Sequence, residues 1–225
     1  MTGSEKKGKG KGKTKQKTVL IFGENENDTR VIAALLRALW PEATWRLQSL
    51  KRPPLLIKDA KPGDVPSRVE RIAAVIRAAA VSADVIAIFA HEDCDAVEDA
   101  HIALDAKIRQ AFATAGHSVE PAVPAWEMET WLMQWPDAFS HHVAAWRSIQ
   151  RYTGTNVGLI VDAKQALTRA LRPNAKVRDY RESDAPILAE IVATNGWARS
   201  PKARSASYTM FVAAADAVWA AHAPT

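Results

Sequence analysis

Four acidic side chains stand where short apolar runs end. Glu24 and Asp28 follow residues 19–22 (VLIF), and Asp93 and Asp95 follow residues 85–90 (VIAIFA). Short continuous apolar runs rich in β-branched residues read as buried strands. Open α/β sheets take their ligands at the carboxyl ends of strands. Carboxylates collected there suit a hard divalent cation; magnesium keeps several of its waters and needs only two or three of them. In extended backbone, residues two apart point the same way, so Asp93 and Asp95 are expected to share one ion. A further glutamate can act as general base or hold a second ion. Acids after strands also cap the next helix, and for Asp28 that reading stands beside the ligand reading. His91 is a ligand, an orienting partner for an acid, or simply a polar neighbour.

The elements that must position these acids alternate along the chain. Residues 19–22 form a strand, 23–28 a polar loop, and 31–40 an apolar repeat at helical spacing that Pro41 stops. Residues 44–50 alternate as a strand, and 51–66, with Pro53, Pro54, Pro62 and Pro66, make an irregular connection. Residues 67–80 are an amphipathic helix with Ser67 as N-cap and Glu70 at the capping-box position. After the strand at 85–90 come an acidic loop (91–95), a helix over 97–115 closed by Gly116, and a short strand over 119–125. This order predicts a three-layer α/β fold around a mainly parallel sheet. From about 136 the strand signal fades, and 139–150, 163–171, 184–194 and 205–221 read as helices packed on the core. The expected organisation is a basic tail (1–18), an α/β core (19–135) and a helical C-terminal portion (136–225).

The chain of 225 residues is 48% hydrophobic and 24% charged, ordinary values for a globular protein with a sizeable core. Cys94 is the single cysteine, which excludes an internal disulfide framework and a Cys-rich zinc site. No apolar run is long enough to span a bilayer, and the basic N-terminus lacks the apolar segment of a secretory signal. The expected compartment is the cytoplasm, with no membrane partner. The net charge is +5, but residues 1–18 hold seven lysines and one glutamate, or +6, so the remainder is 5 − 6 = −1. A Gly/Lys-rich tail cannot bury apolar surface and is expected to be disordered. It is either an arm for polyphosphate, salt-sensitive and blind to sequence, or a solubilising segment.

Residues 19–32 (VLIFGENENDTRVI) resemble the first motif of Toprim domains, in which a strand ends in a glutamate and an acid follows four positions later. Glu24 and Asp28 take those places. Residues 85–96 (VIAIFAHEDCDA) resemble the second motif, a strand running into Asp-x-Asp, matched by Asp93 and Asp95. Two departures stand out: Asn25 replaces the family's glycine, and His91 and Glu92 lengthen the second motif. Residues 126–132 (WEMETWL), 162–164 (DAK) and 204–208 (RSASY) with Phe211 extend the resemblance over roughly 19–215. They resemble a Toprim-like family that often accompanies ATPases in bacterial anti-phage systems.

The resemblance implies a nuclease that needs Mg2+ or Mn2+ and hydrolyses phosphodiesters of DNA or RNA. Asp93 and Asp95 would hold the metal. Glu24 would hold a second ion or move the proton of the attacking water. Glu129, with Glu127 close behind, would complete the acidic cluster, and Lys164 would contact a phosphate or developing negative charge. The glutamates are otherwise helix caps and Lys164 a surface lysine. The alternative function is an inactive subunit docking on an ATPase or a nucleic acid. Trp126, Trp131, Trp135 and Trp146 are either core anchors or platforms for bases. Lys51, Arg52, Arg199, Lys202 and Arg204 flank loops that can carry a nucleic-acid backbone.

Overall fold

The computed structural model describes residues 14–50, 52–172, 174 and 176–223. The tail over 1–13 and Lys51 lie outside the described residues. Lys17 and Thr18, expected in the tail, instead open the first strand, with Thr18 fully buried.

Four strands form one sheet: β1 (Lys17–Phe22), β2 (Arg46–Leu50), β3 (Asp84–His91) and β4 (Glu120–Ala122), in the order β2-β1-β3-β4 with every pair parallel. Alternation along the strands divides the core in two. Val19, Ile21 and Phe89 face one side with helix α1 (Glu26–Leu39); Leu20, Phe22, Ile88 and Ala90 face the other with α2 (Val65–Ser82) and α3 (Ala100–Thr114). The chain leaves β1 toward one edge and returns through β3 toward the other, so right-handed crossovers place α1 opposite α2 and α3. The result is three layers.

Local chemistry sets the helix limits. Asn25 caps α1, accepting from the N–H groups of Asn27 (2.8 Å) and Asp28 (3.1 Å). The helix therefore starts inside the segment expected as loop. Pro41 ends it, because a residue before proline avoids the helical region. Helix α2 starts two residues before Ser67, with Pro66 in its first turn, where the missing N–H costs nothing. Ser67 is no cap; its hydroxyl donates to the Asp64 carbonyl (2.9 Å). Gly116 closes α3 at φ 76°, a conformation that favours glycine.

Beyond β4 lie α4 (Met128–Leu132), α5 (Pro136–His142), α6 (Ala163–Leu171), α7 (Ala185–Thr194) and α8 (Ala206–His222). The helix expected over 139–150 ends at His142. Val143 is extended, and Trp146 folds inward so that its indole N–H donates to the Arg178 carbonyl (2.9 Å). The later helices build the core on the α1 side, where Leu35 and Leu36 share a cluster with Trp131, Leu188 and Phe211. Trp131 lies 4.9 Å from the ring of Phe211, and Trp135 meets Tyr208 edge-on at 5.1 Å. Both indoles are fully buried, so they are anchors and not exposed platforms. Among the described residues no helix is long and apolar enough to cross a membrane.

Asp184 joins α5 to α7. Its buried carboxylate accepts from Arg178 (2.8 Å), from the Arg181 backbone N–H (2.8 Å) and pairs with His142 Nε2 (2.8 Å). Burial alone would raise its pKa, but Arg178, His142 and the Arg181 N–H outweigh it and hold the carboxyl below its ordinary 3.8. A lowered folded pKa contributes stability that is present above the unfolded value and lost as pH falls through the folded one. Asp184→Asn should therefore cost about 2–3 kcal/mol at pH 7. Urea unfolding should show that gap narrowing as pH falls below the ordinary 3.8 and closing once the parent carboxylate is protonated too.

Candidate active site

The order β2-β1-β3-β4 puts the switch in chain direction between β1 and β3, the crevice where open α/β sheets bind ligands. Phe22 is in register with Ala90, so the segments carrying Glu24 and Asp93 emerge side by side. The Asp93 backbone N–H donates to Glu24 Oε1 (3.1 Å). His91 is the last residue of β3 and fully buried. Its Nε2 lies 3.3 Å from Asp93 Oδ1 and its Nδ1 3.9 Å from Asp28 Oδ2. Neither contact has hydrogen-bond geometry, so both ring nitrogens, Asp28 Oδ2 and Asp93 Oδ1 are buried polar atoms without a hydrogen bond.

Asp28 sits in the first turn of α1, 7% exposed, and points at His91 instead of capping the helix. Burial raises its pKa to about 6. Burial opposes the charge on His91, but Asp93, Asp28 and Glu24 outweigh it and raise the imidazole to about 9. Burial, with Asp93 close by, also raises Glu24. The centre is thus three carboxylates around one cationic imidazole.

Asp95 departs from the expected pairing with Asp93. The residues after β3 are not extended: Asp95 has φ 52°, so strand alternation does not apply to it. Its N–H donates to the Trp126 carbonyl (2.8 Å), while the Trp126 N–H donates to Ala96 (2.7 Å), tying the loops after β3 and β4 together. The Asp95 side chain is 64% exposed and pairs with Lys58, a residue of the Pro-rich connection.

Glu129 and Glu127 belong to a neighbouring group. Glu129 is buried beside Tyr180, and burial together with Glu127 raises its pKa to about 7. Glu127 accepts from the Lys164 backbone N–H (2.5 Å), and Lys164 Nζ lies 3.4 Å from Glu127 and 2.8 Å from Glu182. Lys164 is therefore engaged with carboxylates. Asp93 acts on Glu127 electrostatically, so the two groups adjoin. The expected single cluster of Glu24, Asp93, Asp95 and Glu129 is not what the side chains form. Among the described residues no three His, Cys, Asp or Glu side chains make a ready cage for an ion. The donor chemistry around Glu24 nevertheless fits a hard cation: carboxylate oxygens, two of them buried without a hydrogen bond, at a strand-end crevice.

Three polar residues to which the sequence assigned no role hold the site in shape. Glu92, fully buried, accepts from the N–H groups of Ile57 (2.8 Å) and Lys58 (2.6 Å) and clamps the Pro-rich connection against β3. Glu98 accepts from the Ser205 hydroxyl (2.7 Å), the Ser207 N–H (3.0 Å) and Asn156 (3.2 Å), anchoring the start of α8. Ser207 Oγ in turn accepts from the Ala125 N–H (3.1 Å) and the Trp131 indole (2.9 Å), which sets α4 and its glutamates. The serines of 204–208 are therefore joints between elements. Of the other basic positions, Arg199 pairs with Asp216 and Lys202 with Asp137. A cavity of about 780 Å³ between α2 and α3, lined by Val65, Val69 and Ala111, contains none of the candidate acids. The candidate acids lie at the strand ends and not in that apolar hollow.

Comparison with family models, with curated proteins and with solved structures finds no match for this chain.

Gly23 bridges β1 and Glu24. A Cβ there would stand 2.8 Å from the Thr29 methyl and 3.6 Å from His91 Nδ1. Thr29 is fully buried and cannot swing away. Gly23→Ala should lower stability by about 1–3 kcal/mol. Adding Thr29→Ser, which deletes the obstructing methyl, should recover part of it; thermal melts of the three proteins decide.

Proposed function

We propose that this protein is a divalent-cation-dependent phosphodiesterase that hydrolyses DNA or RNA. The observation that carries the reading is the set of buried polar atoms without a hydrogen bond on Asp28, Asp93 and His91, beside Glu24 at the carboxyl ends of β1 and β3. Buried polar atoms are normally hydrogen-bonded, and here Asp28, Asp93 and Glu24 outnumber the one imidazole between them, so the set suits a cation. Asp93 and Asp28 would hold Mg2+ or Mn2+. Such an ion, when bound, neutralises charge on phosphoryl oxygens and makes a water a better nucleophile.

Glu24 is the candidate general base. One of its oxygens is fixed by the Asp93 N–H, which orients the carboxylate and leaves the second oxygen for a proton. Its raised pKa brings it nearer the working pH, where a base transfers protons most effectively. His91 orients Asp28 and Asp93 from beneath and offsets their mutual repulsion. Glu127 and Glu129 adjoin the centre and complete its negative field. The Toprim resemblance by itself supports a further role as effector of a bacterial anti-phage system beside an ATPase.

Incubation with supercoiled plasmid and with tRNA in Mg2+ or Mn2+ tests the reading. The parent should cut, while Asp93→Ala and Glu24→Gln should each lose about 10²–10⁴-fold in rate. Equal cutting by parent and Asp93→Ala rejects the assignment. A parent that binds the ion without cutting points to the inactive docking subunit.

A further inference from the structure

The Pro-rich connection between β2 and α2 delivers one side chain to the acidic centre. Lys58 is held from several directions: Glu92 accepts from its backbone N–H (2.6 Å), Lys107 Nζ donates to its carbonyl (2.9 Å), and Arg68 donates to the carbonyl of Leu56. A fully buried carboxylate such as Glu92 carries a desolvation cost, so it is a demanding way to fix an ordinary surface loop. The ammonium is the part of Lys58 that this fixing positions. Nζ donates to the Asp93 carbonyl (3.0 Å) and to the Asp95 carboxylate, and the side chain is only 20% exposed. An ammonium has three N–H donors, and these bonds use two. Burial would weaken the charge, but Asp95 outweighs it and the lysine stays protonated.

A phosphodiester is an anion approaching Glu24, Asp28 and Asp93, which repel it. A fixed cation at the rim offsets that repulsion. Deepening the phosphodiesterase reading, on which it rests, we propose that Lys58 binds a non-bridging phosphate oxygen of the substrate through its third N–H. Asp95 is then a positioning residue for Lys58 and not a ligand of the ion. This separates the two aspartates of the Asp-x-Asp pair: Asp93 faces His91 and the centre, and Asp95 faces the lysine.

The test uses fluorescence anisotropy of a fluorescein-labelled single-stranded oligodeoxynucleotide in EDTA, titrated between 50 and 200 mM NaCl. Lys58→Gln should weaken binding about tenfold, the value of one charge-assisted hydrogen bond. It should also flatten the slope of log affinity against log salt by about 0.7, the counterion share of one phosphate contact on a single strand. Lys58→Arg should restore both, which a merely structural role would not achieve. In parallel, calorimetry with Mn2+ alone should find Asp95→Asn within about twofold of the parent while Asp93→Asn loses the ion.

An unchanged salt slope in Lys58→Gln, or no binding by the parent, overturns the proposal. Equal loss of Mn2+ affinity in Asp95→Asn and Asp93→Asn overturns it as well. If Lys58→Gln fails to fold by circular dichroism, Lys58→Arg still decides, because a slope shallower than the parent's contradicts a phosphate contact. The two readings fail separately. Lys58-dependent binding without cleavage in Mg2+ or Mn2+ sinks hydrolysis alone, and cleavage with an unaltered slope sinks the Lys58 contact alone.

Discussion

Parallel pairing of β1 with β3 is the constraint on which the site depends. It sets Phe22 against Ala90, and everything after those residues follows from that register. Glu24 reaches the Asp93 N–H only because the two strand ends are neighbours. His91, the last inward-facing residue of β3, is trapped between acids from two separate segments, Asp28 on α1 and Asp93 on the following loop. Burial raises the pKa values of Asp28 and Glu24, and the acids gathered around His91 raise its own despite its burial.

Buried and half-buried carboxylates recur as joints in this fold. Glu92 fastens the β2–α2 connection to β3, Glu98 fastens α8 to the loop before α3, and Asp184 fastens α7 to α5. Each accepts at least one backbone N–H, so each meets donors that regular secondary structure leaves open. A close approach at Gly158 belongs to the same design: a Cβ there would stand 2.0 Å from the Glu98 carboxyl carbon. The joints bring the later helices over the α1 face and set α4, with Glu127 and Glu129, beside the first acidic group.

Much of the architecture is legible in the residues. The apolar runs at 19–22 and 85–90 became central strands, and the segments at 163–171 and 184–194 became helices within a residue. Errors arose where a tertiary contact outvoted a local signal. Trp146 turned inward and ended the helix expected over 139–150. Elsewhere one local signal outvoted another: Pro66 stands in the first turn of α2 ahead of Ser67, and Asn25, not Asp28, caps α1. Asp95 departs from the expected extended geometry for a sharper reason. The rule that residues two apart share a side holds only in extended backbone, and nothing in the local sequence announces its positive φ.

What the sequence by itself determined is the alternation of elements, the division of each strand between two cores, and the placing of acids at strand ends. Those properties are local, carried by periodicity and by which residues can begin or stop an element. The tertiary structure alone decided which strand ends are neighbours and which acid meets which partner. Lys58 with Asp95, Glu98 with Ser205, and Trp131 with Ser207 are separated by 37, 107 and 76 residues. Such pairings depend on strand order and on the path of irregular connections, and no spacing along the chain encodes them.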